Sequence, residues 1–275
     1  MGAPCVLASL GASDPEARKH HLNGHGFDRS SSVAFGRVAE AYERCRPSYP
    51  GEIVAWVIEK LRLGPGKTVV DVGAGTGKLT RQLVPTGARV IAVEPLEEMR
   101  EQLLGAVEGV EVLAGSAEAL PLPDLAADGI TVAAAFHWFD VDRALPELHR
   151  VLKPGCGLAI IGNGRDLEQP LQAAVQSIIE VYLPGLDELR GWIPVLEASP
   201  LFGPLEGVEA TFEQYFDAAG LAERVGTISY IARLPDDERA EVLARVRALG
   251  EAQPEKPFPF LYRAEAVVCM RRDDD

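Results

Sequence analysis

The chain has 275 residues, 47% of them hydrophobic and 25% charged, enough apolar material for a sizeable core in one large domain or one domain with an appendage. Its 41 acidic residues against 27 basic ones give a net charge of −14, and Lys and Arg do not cluster; this argues against a nucleic-acid binder, which needs such clusters for phosphates. Cys5, Cys45, Cys156 and Cys269 lack C-x-x-C spacing, no apolar run approaches a membrane span, and the brief apolar patch Val6-Leu7-Ala8 has no basic residue before it. No disulfide framework, zinc site, membrane contact or signal peptide is therefore expected, and the expected compartment is the cytoplasm.

Residues 1–32 mix Gly, Ser, Asp and His without periodicity and read as a flexible arm. Its His20, His21 and His25 have no Cys or acidic partner at a supporting spacing, so a solvated tail is expected rather than a metal site. Order is expected from residue 33 onwards, in a domain running to 275. Apolar residues recur at helical spacing over 33–42, and Pro47 and Pro50 then enforce an extended connection. Ile53, Val54, Trp56, Val57, Ile58 and Leu61 form the apolar face of a second helix, closed by Leu63-Gly64-Pro65-Gly66. Tyr42, Arg46 and Tyr49 on the connection have two readings: a packed elbow, or a lid whose Arg46 offers a planar donor fork to a carboxylate.

The organising stretch is Val69-Val70-Asp71-Val72-Gly73-Ala74-Gly75-Thr76-Gly77, a short β-branched run followed by glycines and then a helical pattern from Lys78. Ligands of parallel α/β sheets sit at such strand ends. Lys78 stands where the dinucleotide fingerprint G-x-G-x-x-G wants its third glycine, and the P-loop spacing also fails. The spacing is G-x-G-x-G.

Four further strands follow. Residues 88–94 end on Glu94, which suits either a ribose diol or the N-terminus of the helix opened by Pro95. Residues 110–114 lead to Ser116, which suits a purine edge or a helix cap. Residues 129–135 run into Phe136-His137-Trp138-Phe139, and after a helix over 141–152, stopped by Lys153-Pro154-Gly155, comes a strand over 157–163. Strands alternating with helices predict a doubly wound, mostly parallel sheet. Beyond Asn163 the rhythm changes: a helix over 171–183, a Pro/Gly/aromatic stretch over 184–207 expected to be an inserted cap, a strand over 212–216, an amphipathic helix over 235–249, and a C-terminal strand over 258–270, expected to be antiparallel.

With those residues in hand, the chain resembles the class I, Rossmann-like methyltransferases that use S-adenosylmethionine, in the ubiquinone/menaquinone-biosynthesis-like and trans-aconitate methyltransferase-like group. The resemblance rests on Ala39-Glu40-Ala41-Tyr42, Arg46-Pro47-Ser48-Tyr49-Pro50, 71–77, Val93-Glu94-Pro95, Phe136-His137-Trp138-Phe139 and Arg150-Val151-Leu152-Lys153-Pro154-Gly155. It implies that Gly73, Ala74, Gly75 and Gly77 line the methionine part of the cofactor, that Glu94 holds the ribose, and that Ser116 and Ala117 flank the adenine. It further implies that Ala135 sits below the sulfonium and that Tyr42 and Arg46 close over the site. Cys156 departs from the usual Pro-Gly-Gly turn, and Gly162-Asn163 stands where Trp-Asn is frequent.

His137 is the candidate general base, with an orienting or packing role as its alternative; Arg165 reads first as a solvated loop charge and second as a residue steering an acidic acceptor. The expected function is methyl transfer to a small molecule, on a carboxylate or hydroxyl oxygen, without a metal. A nicotinamide-dependent oxidoreductase and a non-catalytic cofactor-binding regulator are the competing classes. Neither the acceptor nor the oligomeric state is legible in the sequence.

Overall fold

The computed structural model describes residues 39–182 and 193–273. The expected arm over 1–32 and the first part of the expected cap lie outside them. Helices α1 (Ala39–Cys45) and α2 (Gly51–Lys60) precede the sheet, separated by the extended Pro47–Pro50 connection. Strand β1 (Thr68–Val72), the short helix α3 (Thr80–Leu83), β2 (Arg89–Glu94), α4 (Glu97–Ala106) and β3 (Val110–Ala114) make the first winding. The second comprises β4 (Ala127–Ala133), α5 (Val141–Val151) and β5 (Leu152–Arg165). There follow α6 (Pro170–Ile179), α7 (Ile193–Glu197), β6 (Glu206–Phe216), α8 (Ala218–Gly226), α9 (Ser229–Ala232), α10 (Asp236–Glu251) and β7 (Phe258–Met270).

The seven strands lie in the order β3-β2-β1-β4-β5-β7-β6. The first five are parallel, and β7 runs antiparallel to both β5 and β6. This is the Rossmann-like methyltransferase fold, with the C-terminal strand antiparallel as the sequence suggests. The chain winds outward from β1 through β2 to β3, then returns to place β4 on the other side of β1. A crevice opens at that reversal, outside the carboxyl ends of the strands.

Both faces of the sheet are buried because successive side chains alternate between them. Val70 and Val72 face a core with Leu145 and Leu148 of α5, whereas Val69 faces Ile53, Val54 and Val57 of α2. A third cluster joins α6, α8 and α10 to Phe258, Phe260 and Tyr262 of β7.

Several features differ from the sequence reading. β5 begins directly at Leu152 and carries Lys153-Pro154-Gly155 within it, because Leu152 pairs with Ala127 and extends the ladder past the expected stop. β6 starts six residues before the expected strand and pairs with β7 along its length. Of the expected cap, the described residues 193–207 contribute Ile193, Leu196 and Phe202 to the α5-side core. Apolar side chains in that segment are thus consumed by the sheet's own covering layer.

Candidate functional site

Strand β1 ends in a turn whose three glycines all have positive φ: 69° at Gly73, 56° at Gly75 and 83° at Gly77. Their surroundings separate them. A Cβ on Gly77 would stand 2.9 Å from Leu103 and Val107, so this glycine lets α4 pack against the turn. A Cβ on Gly75 would meet nothing within 4 Å, since it faces the open crevice.

The turn is held from two directions. The N–H of Gly75 donates to Glu94 Oε2 at 2.9 Å, and the N–H of Leu96 donates to Glu94 Oε1 at 3.0 Å. Glu94 is only 5% exposed, and burial pushes its carboxyl above the usual range against those two hydrogen bonds. From above, Glu43 of α1 accepts from Thr76 Oγ1 at 2.5 Å and from Arg81 at 2.7 Å, while Lys78 Nζ donates to the Glu43 carbonyl at 2.6 Å. Beneath the turn, Asp71 is 1% exposed and accepts from Thr80 Oγ1 at 2.6 Å and Thr131 Oγ1 at 2.9 Å; burial raises its carboxyl to about 6.

These groups border a cleft of about 1170 Å³, open mouth included. Five parallel strand ends line it: Gly73, Ala74 and Gly75 after β1, Glu94 at the end of β2, Ser116 and Ala117 after β3, Ala133 to Ala135 after β4, and Asn163 on β5. Tyr42 and Arg46 close one side, and the Arg46 guanidinium lies 5.0 Å from the Tyr42 ring centre. Of the residues singled out by sequence, Gly77, His137 and Arg165 are absent from the lining. Gly77 is occupied with packing. His137 sits beside Trp138 with ring centres 5.0 Å apart, and burial together with nearby Arg46 lowers its imidazole to about 4. Trp138 and Phe139 take the lining positions instead.

Sequence reasoning missed Leu96, Met99, Glu43 and Arg224. Leu96 and Met99 supply an apolar part of the wall, packed with Tyr42, and their spacing reads as ordinary core. Arg224 reaches the cleft from α8, 8% exposed, and donates through Nε to Tyr262 Oη at 3.1 Å. Nothing in the local sequence ties α8 to the strand ends. Among the described residues, no group of three or more His, Cys, Asp or Glu side chains could hold a metal, and no helix is long and apolar enough to cross a membrane.

The chain was compared with known proteins. The family described as "Methyltransferase domain" matches residues 70–160, which span β1 to β5. An uncharacterized methyltransferase of Mycobacterium tuberculosis is 36% identical over 226 residues, covering 82% of this chain and 89% of the relative. The chain belongs to the class I methyltransferases. A methyltransferase-like protein of Schizosaccharomyces pombe is 31% identical, covering 78% of the chain and 84% of the relative. The ubiquinone/menaquinone biosynthesis C-methyltransferase UbiE of Escherichia coli is 35% identical over 134 residues, covering 45% of the chain and 53% of UbiE.

Among solved structures, this methyltransferase is similar to YcgJ from Bacillus subtilis, with a TM-score of 0.56 at 22% identity, covering 82% of this chain and all of that one. It is also similar to a putative type II methyltransferase from Anaeromyxobacter dehalogenans, with a TM-score of 0.55 at 25% identity, covering 82% and 96%. The comparisons lend no support to an oxidoreductase or a non-catalytic protein. At the third position of the dinucleotide fingerprint stands Lys78, whose ammonium is tied to Glu43.

Proposed function

We propose that this methyltransferase binds S-adenosyl-L-methionine in the cleft at the β1/β4 reversal and methylates a small molecule, on a carboxylate or hydroxyl oxygen. The observation that carries this reading is the meeting of Gly75 and Glu94. A glycine with open space in place of a Cβ adjoins a buried carboxylate at the next strand end, which is the pairing that a ribose and its attached chain require.

The lining fits the cofactor part by part. Gly73, Ala74 and Gly75 leave room for the methionine moiety, and Arg46 offers a planar donor fork to its carboxylate. Glu94 retains lone pairs beyond its two backbone contacts and accepts from the ribose hydroxyls. Ser116 and Ala117, with Leu96 and Met99 on the same lining, provide a slot for the adenine. Ala135, Trp138 and Phe139 form an apolar wall that keeps water from the reacting atoms. When bound, the cofactor supplies an electrophilic methyl group: an acceptor lone pair forms the new bond to carbon as the carbon–sulfur bond breaks, and neutral S-adenosylhomocysteine leaves.

Positioning then provides most of the acceleration the protein must contribute. A carboxylate acceptor needs no proton removed. His137, neutral above about pH 4 and off the lining, acts in this reading by packing against Trp138. The net charge of −14 supports a small acceptor over nucleic acid. The free thiols Cys45, Cys156 and Cys269 are compatible with a reducing cytoplasm.

Methyl-labelled S-adenosylmethionine incubated with the protein and a small-molecule extract tests the proposal. Label is expected in a small product with the native chain and not with Gly75→Val. Tight binding of NAD with no binding of S-adenosylhomocysteine would overturn it.

A further inference from the structure

Away from the glycine turn, the cleft meets a group of arginines that the cofactor does not account for. Arg224 lines the cleft from α8. Arg165 follows Asn163, a lining residue, by two residues on β5, so both project from the same face of the strand, while Arg165 itself is not part of the lining. Across the ladder Arg165 stands opposite Tyr262, the residue whose hydroxyl accepts from Arg224. Arg46 adjoins the pair by donating to the hydroxyl and carbonyl of Thr227 at 3.1 and 3.0 Å, and the Thr227 hydroxyl donates to the Arg224 carbonyl.

The partners of these guanidinium groups among the described residues are neutral. Arg46 uses Thr227, Arg224 uses Tyr262, and Arg165 has Tyr230 as its neighbour. Nη1 of Arg165 is buried with no hydrogen-bond partner, and so is Oδ1 of Asn163 beside it. Nearby carboxylates are engaged elsewhere: Asp166 faces Arg263 at 3.7 Å, and Glu223 is taken by Arg44 and Cys45. Buried like charges without a counter-ion are costly, and an anion entering the cleft relieves that cost. Burial first, then the charge of Arg224 and to a smaller extent that of Arg165, lower Arg46 to about 10.

We infer that the methyl acceptor is an organic anion whose carboxylate is held between Arg165 and Arg224, leaving Arg46 to the cofactor. The inference rests on the reading of the cleft as an S-adenosylmethionine site and names the substrate class for it. Two guanidinium forks match the oxygens of a carboxylate in a way that a neutral acceptor cannot exploit.

The test uses the full chain saturated with S-adenosylhomocysteine and titrated calorimetrically with benzoate and succinate. Their methyl esters serve as neutral counterparts and phenyl phosphate as the phosphate counterpart. The acids are expected to bind and their esters not to. Arg165→Gln is expected to weaken the acids at least tenfold with S-adenosylhomocysteine affinity unchanged, and Arg165→Lys to keep part of the effect. Esters binding as tightly as acids, no binding of either acid, or equal affinities in Arg165→Gln and the native chain overturn the inference. Binding of phenyl phosphate alone replaces the carboxylate by a phosphate. Failure of S-adenosylhomocysteine to bind the native chain overturns the reading of the cleft itself.

Discussion

Single residues in the glycine turn have separable tasks, and substitution distinguishes them. Gly75→Val places a branched side chain in the open crevice. It should weaken S-adenosylhomocysteine binding at least ~100-fold while stability falls only by the cost of a side chain at positive φ, about 1–2 kcal/mol. Gly77→Ala puts a methyl group 2.9 Å from Leu103 and Val107 at φ 83°. It should destabilise by about 3 kcal/mol, combining overpacking with backbone strain, and leave the affinity of the folded fraction nearly intact. Urea denaturation paired with calorimetric titration reads both effects. The sequence presents the two glycines as equivalent members of one motif, since only the neighbours brought by α4 tell them apart.

At the scale of elements, α1 is joined to the sheet mainly through polar contacts. Glu43 ties it to Thr76, Lys78 and Arg81, and Tyr42 packs on Leu96 and Met99. Because Tyr42 and Arg46 ride at the end of this helix, its docking governs how the cleft is closed. Glu43→Gln removes the charge opposite Lys78 and Arg81, both partly buried, and should cost roughly 1–2 kcal/mol of local docking. Hydrogen exchange should rise over 40–46 with β1 unaffected, and S-adenosylhomocysteine affinity should fall about three- to tenfold. The segment after α6 shows the opposite relation between sequence and structure. Its aromatic, Pro-rich composition suggests a cap, and of its described residues Ile193, Leu196 and Phe202 are buried in the core beside α5.

For the whole molecule, Asp71 links the stability of the sheet to pH. It bridges β1 to β4 through Thr131, and its folded carboxyl titrates at about 6 against an ordinary 3.8. Between those values the native chain holds a proton that the unfolded chain has released. Its contribution to stability is therefore greatest below about pH 4, declines as pH rises towards 6 and is level above. The change is roughly 3 kcal/mol, at about 1.4 kcal/mol per unit of pKa. Asp71→Asn removes this dependence, so urea unfolding should show the stability of Asp71→Asn relative to the native chain rising by roughly that amount between pH 4 and 6.5. A flat difference across that range would show that Asp71 titrates normally.

Much of the architecture was legible because it depends on local signals. β3 and β7 have the ends expected from their sequence, and β2 and β4 lie within two residues of theirs; a β-branched run bounded by turn residues has few other conformations. The G-x-G-x-G spacing and Glu94 placed the crevice because parallel strands in one sheet present their carboxyl ends on one edge. The sequence by itself determined the class of fold, the family and the edge of the sheet where the cleft opens. Tertiary structure alone decided which glycine faces the open cleft and which faces α4, that His137 lies off the lining, and that Arg224 joins Arg165 and Arg46. These depend on contacts between segments far apart in the chain, for which no local spacing carries a signal. Arg165 and Arg224 lie far apart in the chain, and the pairing of β5 with β7 brings them to the same tyrosine.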